Sequence, residues 1–215
     1  MIPFTDAHTH RDPHDPGILA LRNLDSPQEL PAPPCPGILL SAGIHPRDIG
    51  KYDLETLEAC LDTHCCAAVG ECGLDRTAEA DFACQEACFL RHAELADARS
   101  LPLVIHCVRA YPEIIRLKKR WKNTVPWIIH GFRGNAETAR ELLKHGFALS
   151  LPPVWLRHAE TLHPEIAEAG FLLETDDGEE SLPELYERAA RLAGTAPDEL
   201  RERIHKIFTG IFQHE

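Results

Sequence analysis

Eight short apolar runs, mostly separated by stretches of helical spacing, predict an α/β protein built on a closed parallel barrel. The runs are nearly continuous rather than alternating, as expected of strands buried on both faces. Histidines and carboxylates stand at or near the ends of most of them. Periodicity alone does not separate a barrel from an open sheet, but eight strands with residues of one chemistry at their C-terminal ends favour closure.

The first strand carries Asp6-Ala7-His8-Thr9-His10 after an apolar lead-in, and Asp6, His8 and His10 share one face because side chains alternate along a strand. Residues 11–17, rich in Pro, Asp and Gly, read as a loop, and 18–24 as a second strand. Prolines 27, 31, 33, 34 and 36 argue against a helix across 25–36. Residues 37–43 form the third strand, ending in Ile44-His45-Pro46; a helix follows over 53–63, with Leu54, Leu57 and Leu61 on one side. Residues 67–70 make a short apolar strand that ends at the carboxylate of Glu71.

A helix over 80–98 presents Phe82, Phe89, Ala93 and Ala96 to the core, and strand 102–105 ends in His106. The unit then repeats: a helix near 110–121, a strand 125–129 ending in His130, a helix near 135–145 and a strand 146–151. A looser segment, 154–169, leads to strand 171–173 and to Glu174-Thr175-Asp176-Asp177-Gly178, and amphipathic helices near 182–193 and 197–212 finish the chain. The prediction is a (β/α)8 TIM barrel with shortened or missing helices between the first strands.

A length of 215 residues suffices for one sizeable core, so residues 1–215 are read as a single domain. No apolar run approaches the roughly 20 residues of a membrane span, and the N-terminus lacks a signal peptide, so a cytoplasmic monomer with no membrane partner is the expectation. The eight cysteines include no Cys-x-x-Cys pair and read as reduced thiols filling small core positions. A net charge of −12 argues against a broad basic face for nucleic acid, so a phosphate-bearing substrate must be held by bound cations or a small basic cluster. Arg116, Lys118, Lys119, Arg120 and Lys122 form one cluster, read chiefly as a solvated helix surface.

His8, His10, His45, Glu71, His106, His130 and Asp176 all fall at the barrel end where active sites are built. Imidazoles with carboxylates suit a pair of divalent ions such as zinc, manganese, iron or nickel, and a carboxylate can bridge two ions. Four histidines argue against a site designed for magnesium. Two such ions polarise a phosphoryl or carbonyl oxygen and acidify a water between them; Asp176 is the candidate ligand and general base.

Asp6-Ala7-His8-Thr9-His10, Gly43-Ile44-His45-Pro46, Val69-Gly70-Glu71-Cys72-Gly73-Leu74-Asp75, Val104-Ile105-His106-Cys107, Ile129-His130-Gly131-Phe132-Arg133-Gly134 and Leu173-Glu174-Thr175-Asp176 resemble the ordered motifs of the TatD family of metal-dependent hydrolases. The resemblance implies an amidohydrolase-like TIM barrel in which His8, His10 and Asp176 hold one ion, His106 and His130 the other, and Glu71 bridges both. His45 matches a histidine near the substrate phosphate, and Asp6, left without a metal position in the pattern, is expected to be a strand-end partner that orients a histidine. The resemblance also implies deoxyribonuclease activity supported by magnesium or manganese, often 3′ to 5′ on single strands.

Departures from the pattern fall in the loops: Arg47 after His45-Pro46, Val108-Arg109 after His106, Asp177-Gly178 after Asp176, and a shortened segment between the first and third strands. The metal ligands survive these changes. The leading expectation is therefore phosphodiester hydrolysis on DNA, with Arg109, Arg133 and Arg47 holding the phosphate. The alternatives are hydrolysis of a small ester, amide, lactone or phosphoester on the same barrel, and a metal-binding scaffold without activity.

Overall fold

The apolar runs become eight strands in the computed structural model, which describes residues 2–12, 15–29, 31, 36–122 and 125–213. They are β1 (Phe4–Thr9), β2 (Ile18–Asn23), β3 (Ile38–Ala42), β4 (Ala68–Asp75), β5 (Leu103–Val108), β6 (Trp127–Ile129), β7 (Phe147–Leu151) and β8 (Leu172–Leu173). Each strand pairs in parallel with the next, in chain order. The sheet returns on itself through a bridge between Thr9 and Asp176, in which the Asp176 amide donates to the His8 carbonyl at 2.9 Å. Parallel pairing forces every strand to end at the same mouth, so the C-terminal residues of distant segments converge there.

Helices α1 (Leu54–Thr63), α2 (Phe82–Arg99), α3 (Tyr111–Arg120) and α4 (Ala136–Lys144) follow β3 to β6, and α7 (Leu182–Ala193) and α8 (Pro197–Phe212) follow β8. Asp53, Asp81 and Asn135 begin α1, α2 and α4 by accepting from free backbone amides of the first turn. Between β1 and β2, and between β2 and β3, the described residues contain no helix, as the proline-rich sequence predicts. The predicted loop positions Pro13 and His14, and Pro33, Pro34 and Cys35, lie outside the described residues. Helix α7 covers the outside of β1: the Tyr186 hydroxyl donates to the Thr5 carbonyl at 3.0 Å, and its ring meets Phe4 at 5.0 Å.

Two expectations change. The looser segment 154–169 contains two short helices, α5 (Pro153–His158) and α6 (Pro164–Ala169), each started by a proline whose fixed φ suits the first helical position. Glu71 does not end its strand, because β4 continues four residues further, to Asp75. This continuation needs glycine: Gly73 has φ +149°, and a Cβ there would lie 2.0 Å from the His106 carbonyl oxygen. Close approach of β4 to β5 brings Glu71 and His106 together.

The seven described cysteines are free, with Cys60, Cys66, Cys72 and Cys107 buried as core fillers. The basic cluster on α3 belongs to the barrel wall, where Lys118 lies 4.6 Å over the Trp127 ring and Arg116 pairs with Glu86. No helix among the described residues is long and apolar enough to cross a membrane.

Candidate metal centre

His8, His10, Glu71, His106, His130 and Asp176 meet at the barrel mouth, and His45 joins them. His8 is fully buried, and its Nε2 stands 3.5 Å from Glu71 Oε2 and 3.9 Å from Asp176 Oδ1. His10 Nε2 lies 3.8 Å from the same two oxygens, while its Nδ1 faces Asp25 Oδ1 at 2.7 Å. Asp6 shares their face yet meets no imidazole. Its carboxylate accepts from the Thr175 hydroxyl at 2.6 Å and the Thr175 amide at 3.0 Å, and from the His8 amide at 3.4 Å. The expectation that Asp6 orients a histidine ring is corrected on this geometry: barrel closure lays the end of β8 against β1, so Asp6 fixes the backbone that carries Asp176. Asp176 itself has φ +55°, uncommon for a residue with a side chain.

Glu71 lies among imidazoles. His106 Nδ1 and His130 Nε2 each donate to its Oε1 at 2.7 Å, and its own amide donates to Asn23 Oδ1 at 2.8 Å. Behind the two rings stand further carboxylates, Asp75 Oδ2 at 3.5 Å from His106 Nε2 and Glu174 Oε1 at 3.7 Å from His130 Nδ1. Burial works against the charge of Glu71, but His130, His106 and His8 outweigh it and hold its carboxyl well below the usual range. Burial likewise opposes a charge on His130, yet the carboxylates of Glu71 and Glu174 raise its pKa well above the ordinary imidazole value.

His45 caps a single 3-10 turn, Pro46–Asp48, with its Nδ1 accepting from the Arg47 amide at 3.1 Å. That bond leaves the neutral ring's proton on Nε2, which points at Glu71 Oε1 from 3.5 Å. Burial pushes the pKa of His45 down to about 4, so the ring is a neutral donor. Its loop is anchored by the fully buried His92, whose Nε2 accepts from the Ile44 amide at 2.9 Å while Nδ1 donates to the Cys88 carbonyl at 2.8 Å.

The donor set suits a divalent metal. His8 Nε2, which faces Glu71 and Asp176, is buried with no hydrogen-bond partner, a costly state that a bound cation relieves. Ligand atoms of His8, His130 and Asp176 lie within 4.8 Å of one another, as do those of His8, His10 and Glu71, and of His45, Glu71 and His106.

Two clefts open over these residues. One, of about 460 Å³, includes His10, Asp25, His45, Lys51 and Tyr52; the other, also about 460 Å³, brings Arg47, Arg109 and Arg133 around His106, His130 and Asp176. The predicted contact residues Arg109 and Arg133 therefore share a wall with the ligands, and Arg47 also lies 3.3 Å from Asp75 through Nε.

Reading the sequence for ligands misses the groups that hold them. Asp75 has the same parity as Glu71 along β4, and Glu174 stands two residues before Asp176, so each left a local signal. Asn23, Asp25 and His92 left none, since only the fold brings them to the site.

A parallel barrel with histidines and carboxylates gathered at its C-terminal mouth is a TIM-barrel scaffold whose donor set could hold divalent metal. The chain belongs to the TatD family: the family model for TatD related DNases matches residues 32–213. His8 and His10 precede the matched residues. Among curated relatives, the 3′-5′ ssDNA/RNA exonuclease TatD of Cronobacter turicensis is 32% identical over 151 residues, covering 65% of this chain and 57% of that protein. The corresponding exonuclease of Escherichia coli K12 is 28% identical, covering 63% of this chain and 56% of that protein. The chain thus spans less than three fifths of the length of these relatives. Its fold matches the Escherichia coli K12 TatD homologue YJJV with a TM-score of 0.81 at 18% identity, over 100% of both chains. It matches a TatD family hydrolase from Entamoeba histolytica with a TM-score of 0.76 at 14% identity, over 98% of both.

Proposed function

We propose that this chain is a metal-dependent hydrolase that cleaves phosphodiester bonds in single-stranded nucleic acid, with residues 1–215 acting as one unit. The observation that carries the reading is the convergence of Arg47, Arg109 and Arg133 on the cleft floored by His106, His130 and Asp176. In a chain of net charge −12, three guanidinium groups beside a cluster of imidazoles suit an anionic, tetrahedral group. The names of the curated relatives support the same substrate class.

His8, His10 and Asp176 are assigned to one divalent ion and His106 and His130 to a second, with Glu71 between them; zinc, manganese, nickel and magnesium are the candidates. When bound, such ions supply Lewis acidity toward a phosphoryl oxygen and acidify a water. Asp176, partly exposed at the cleft, accepts the proton of the attacking water. His45, held neutral, donates from Nε2 toward a phosphate oxygen, and the three arginines orient the diester. Asp25, at 2.7 Å from His10 Nδ1, holds that ring for its ligating nitrogen, while Asp75 and Glu174 face the outer nitrogens of His106 and His130 from 3.5 and 3.7 Å.

The two clefts share Arg47, His106, His130 and Asp176 and so adjoin over the ligand cluster, an extended arrangement that suits a strand better than a small enclosed ester. The test is cleavage of an end-labelled single-stranded oligonucleotide by protein loaded with each candidate metal. Turnover that disappears on chelation and in Asp176→Asn is expected. Hydrolysis of small esters or lactones with no cleavage of any phosphodiester would overturn the reading.

A further inference from the structure

Beyond the ligand cluster, a third cleft of about 530 Å³ opens where α5 turns toward α6, lined by Arg133, Val154, Trp155, His158, Glu160 and His163 among others. Arg133 is common to this cleft and to the arginine-lined cleft over the metal centre, so the two adjoin. We propose that this third cleft is a base-stacking subsite, in which the Trp155 indole receives a nucleobase of a single-stranded substrate whose phosphate lies at Arg133. The inference rests on the nucleic-acid reading above and adds how the strand is gripped beside the bond that is cut.

Three features commit the cleft to a base. Trp155 is half-buried, and its Nε1–H donates to the Gly134 carbonyl at 3.4 Å. With its polar handle engaged by the protein, the indole offers a ligand only its apolar faces and edges, the surfaces on which bases stack. The ring is also held: His163 meets it at 5.6 Å in an edge-on arrangement of 76°, and the Trp155 amide donates to the Pro152 carbonyl at 3.1 Å. A platform positioned before binding loses little freedom when a base arrives.

The remaining lining suits the rest of a nucleotide. Arg133 is exposed at the rim, where its positive charge follows a phosphodiester backbone. Glu160, also exposed, supplies an acceptor for an N–H on the edge of a base. A base in this cleft and a phosphate at Arg133 would belong to one strand running from the metal centre across α5.

The experiment compares binding of short phosphorothioate-linked strands that resist cleavage, one of thymidine and one abasic with the same number of phosphates, followed by fluorescence anisotropy. The wild-type protein is expected to bind the thymidine strand about tenfold more tightly, the size of one stacking contact. Trp155→Ala should abolish this preference while leaving affinity for the abasic strand unchanged, and Trp155→Phe should keep most of it. A thermal melt of each variant separates loss of the ring from loss of the fold. Equal binding of both strands by the wild type, or a base preference that survives in folded Trp155→Ala, overturns the subsite. Cleavage of ordinary strands together with base-blind binding sinks the subsite and spares the hydrolase reading; a Trp155-dependent base preference in a protein that cuts no strand does the reverse.

Discussion

The two sides of the ligand cluster are held differently. On the β1 side, His8 and His10 stand 3.5 to 3.9 Å from the oxygens of Glu71 and Asp176. Two ligands sharing one ion at bonds of about 2.1 Å and a tetrahedral angle lie about 3.4 Å apart, so this side is already spaced for a cation. On the β5 and β6 side, His106 and His130 donate directly to Glu71 at 2.7 Å. That is a hydrogen-bond length, and a proton sits where an ion would. The first side can load without rearrangement, whereas the second must release a proton and open slightly.

The strongest way to break this comparison is to remove the charge on each side in turn. Asp176→Asn should reduce turnover by about 10²- to 10⁴-fold, the range of a lost general base, and weaken the first ion; Glu71→Gln should lower the bound metal on both sides. Metal content by plasma emission spectrometry alongside rates separates the two, and an Asp176→Asn protein with wild-type turnover would remove Asp176 from the chemistry.

The next effect is on pH. His130 is raised above its ordinary value, so its contribution to the stability of the metal-free protein is complete below about pH 6.5 and is lost as pH climbs through the raised pKa. Glu71 is depressed, so its contribution is present above about pH 4.5 and lost as pH falls through the lowered pKa. Metal needs both groups deprotonated. Affinity on the His130 side should therefore rise with pH across the neutral range, with proton release detected by calorimetry in buffers of different ionisation heat. A pH-independent second ion would contradict the proton-filled geometry.

Smaller differences are expected among the carboxylates behind the rings. Glu174 is fully buried and also accepts from the Gly131 amide at 2.6 Å, so Glu174→Gln should cost 10- to 100-fold in metal affinity or turnover, as such partners of ligating histidines typically do. Asp25 is exposed, and Asp25→Asn should cost less than about tenfold because water can take its place at His10. Equal losses in both variants would deny that burial sets their importance.

A separate effect, on stability rather than on metal or turnover, concerns Asp6. Burial raises its pKa to about 7, the Thr175 and His8 donors notwithstanding, so its folded pKa exceeds the unfolded value. Stability should fall as pH rises from about 4 to 7, by at most about 1.4 kcal/mol per pH unit, and Asp6→Asn should remove that slope in urea unfolding.

Much of this was readable in the chain. The strands were placed by continuous apolar runs, and the absence of helices among the described residues between the first strands followed from proline, which cannot donate within a helix. All six proposed ligands and His45 meet because parallel strands share one mouth, so a residue's position at a strand end predicts its place in the fold. Glu71 shows where this logic weakens: its place in mid-strand depends on Gly73, whose missing Cβ lets β4 approach β5, and no apolar pattern reports that contact.

By itself, then, the sequence determined the barrel, the candidate ligand types and the end at which they gather, because these depend on local periodicity and on the direction of the strands. Only the tertiary structure decided which side of the cluster is spaced for an ion and which is closed by a proton. It also decided that Asp6 holds Thr175 rather than a ring, and that the cleft at Trp155 and the cleft over the ligand cluster share Arg133 in their lining. These outcomes depend on distances between residues far apart in the chain, which are set when the barrel closes.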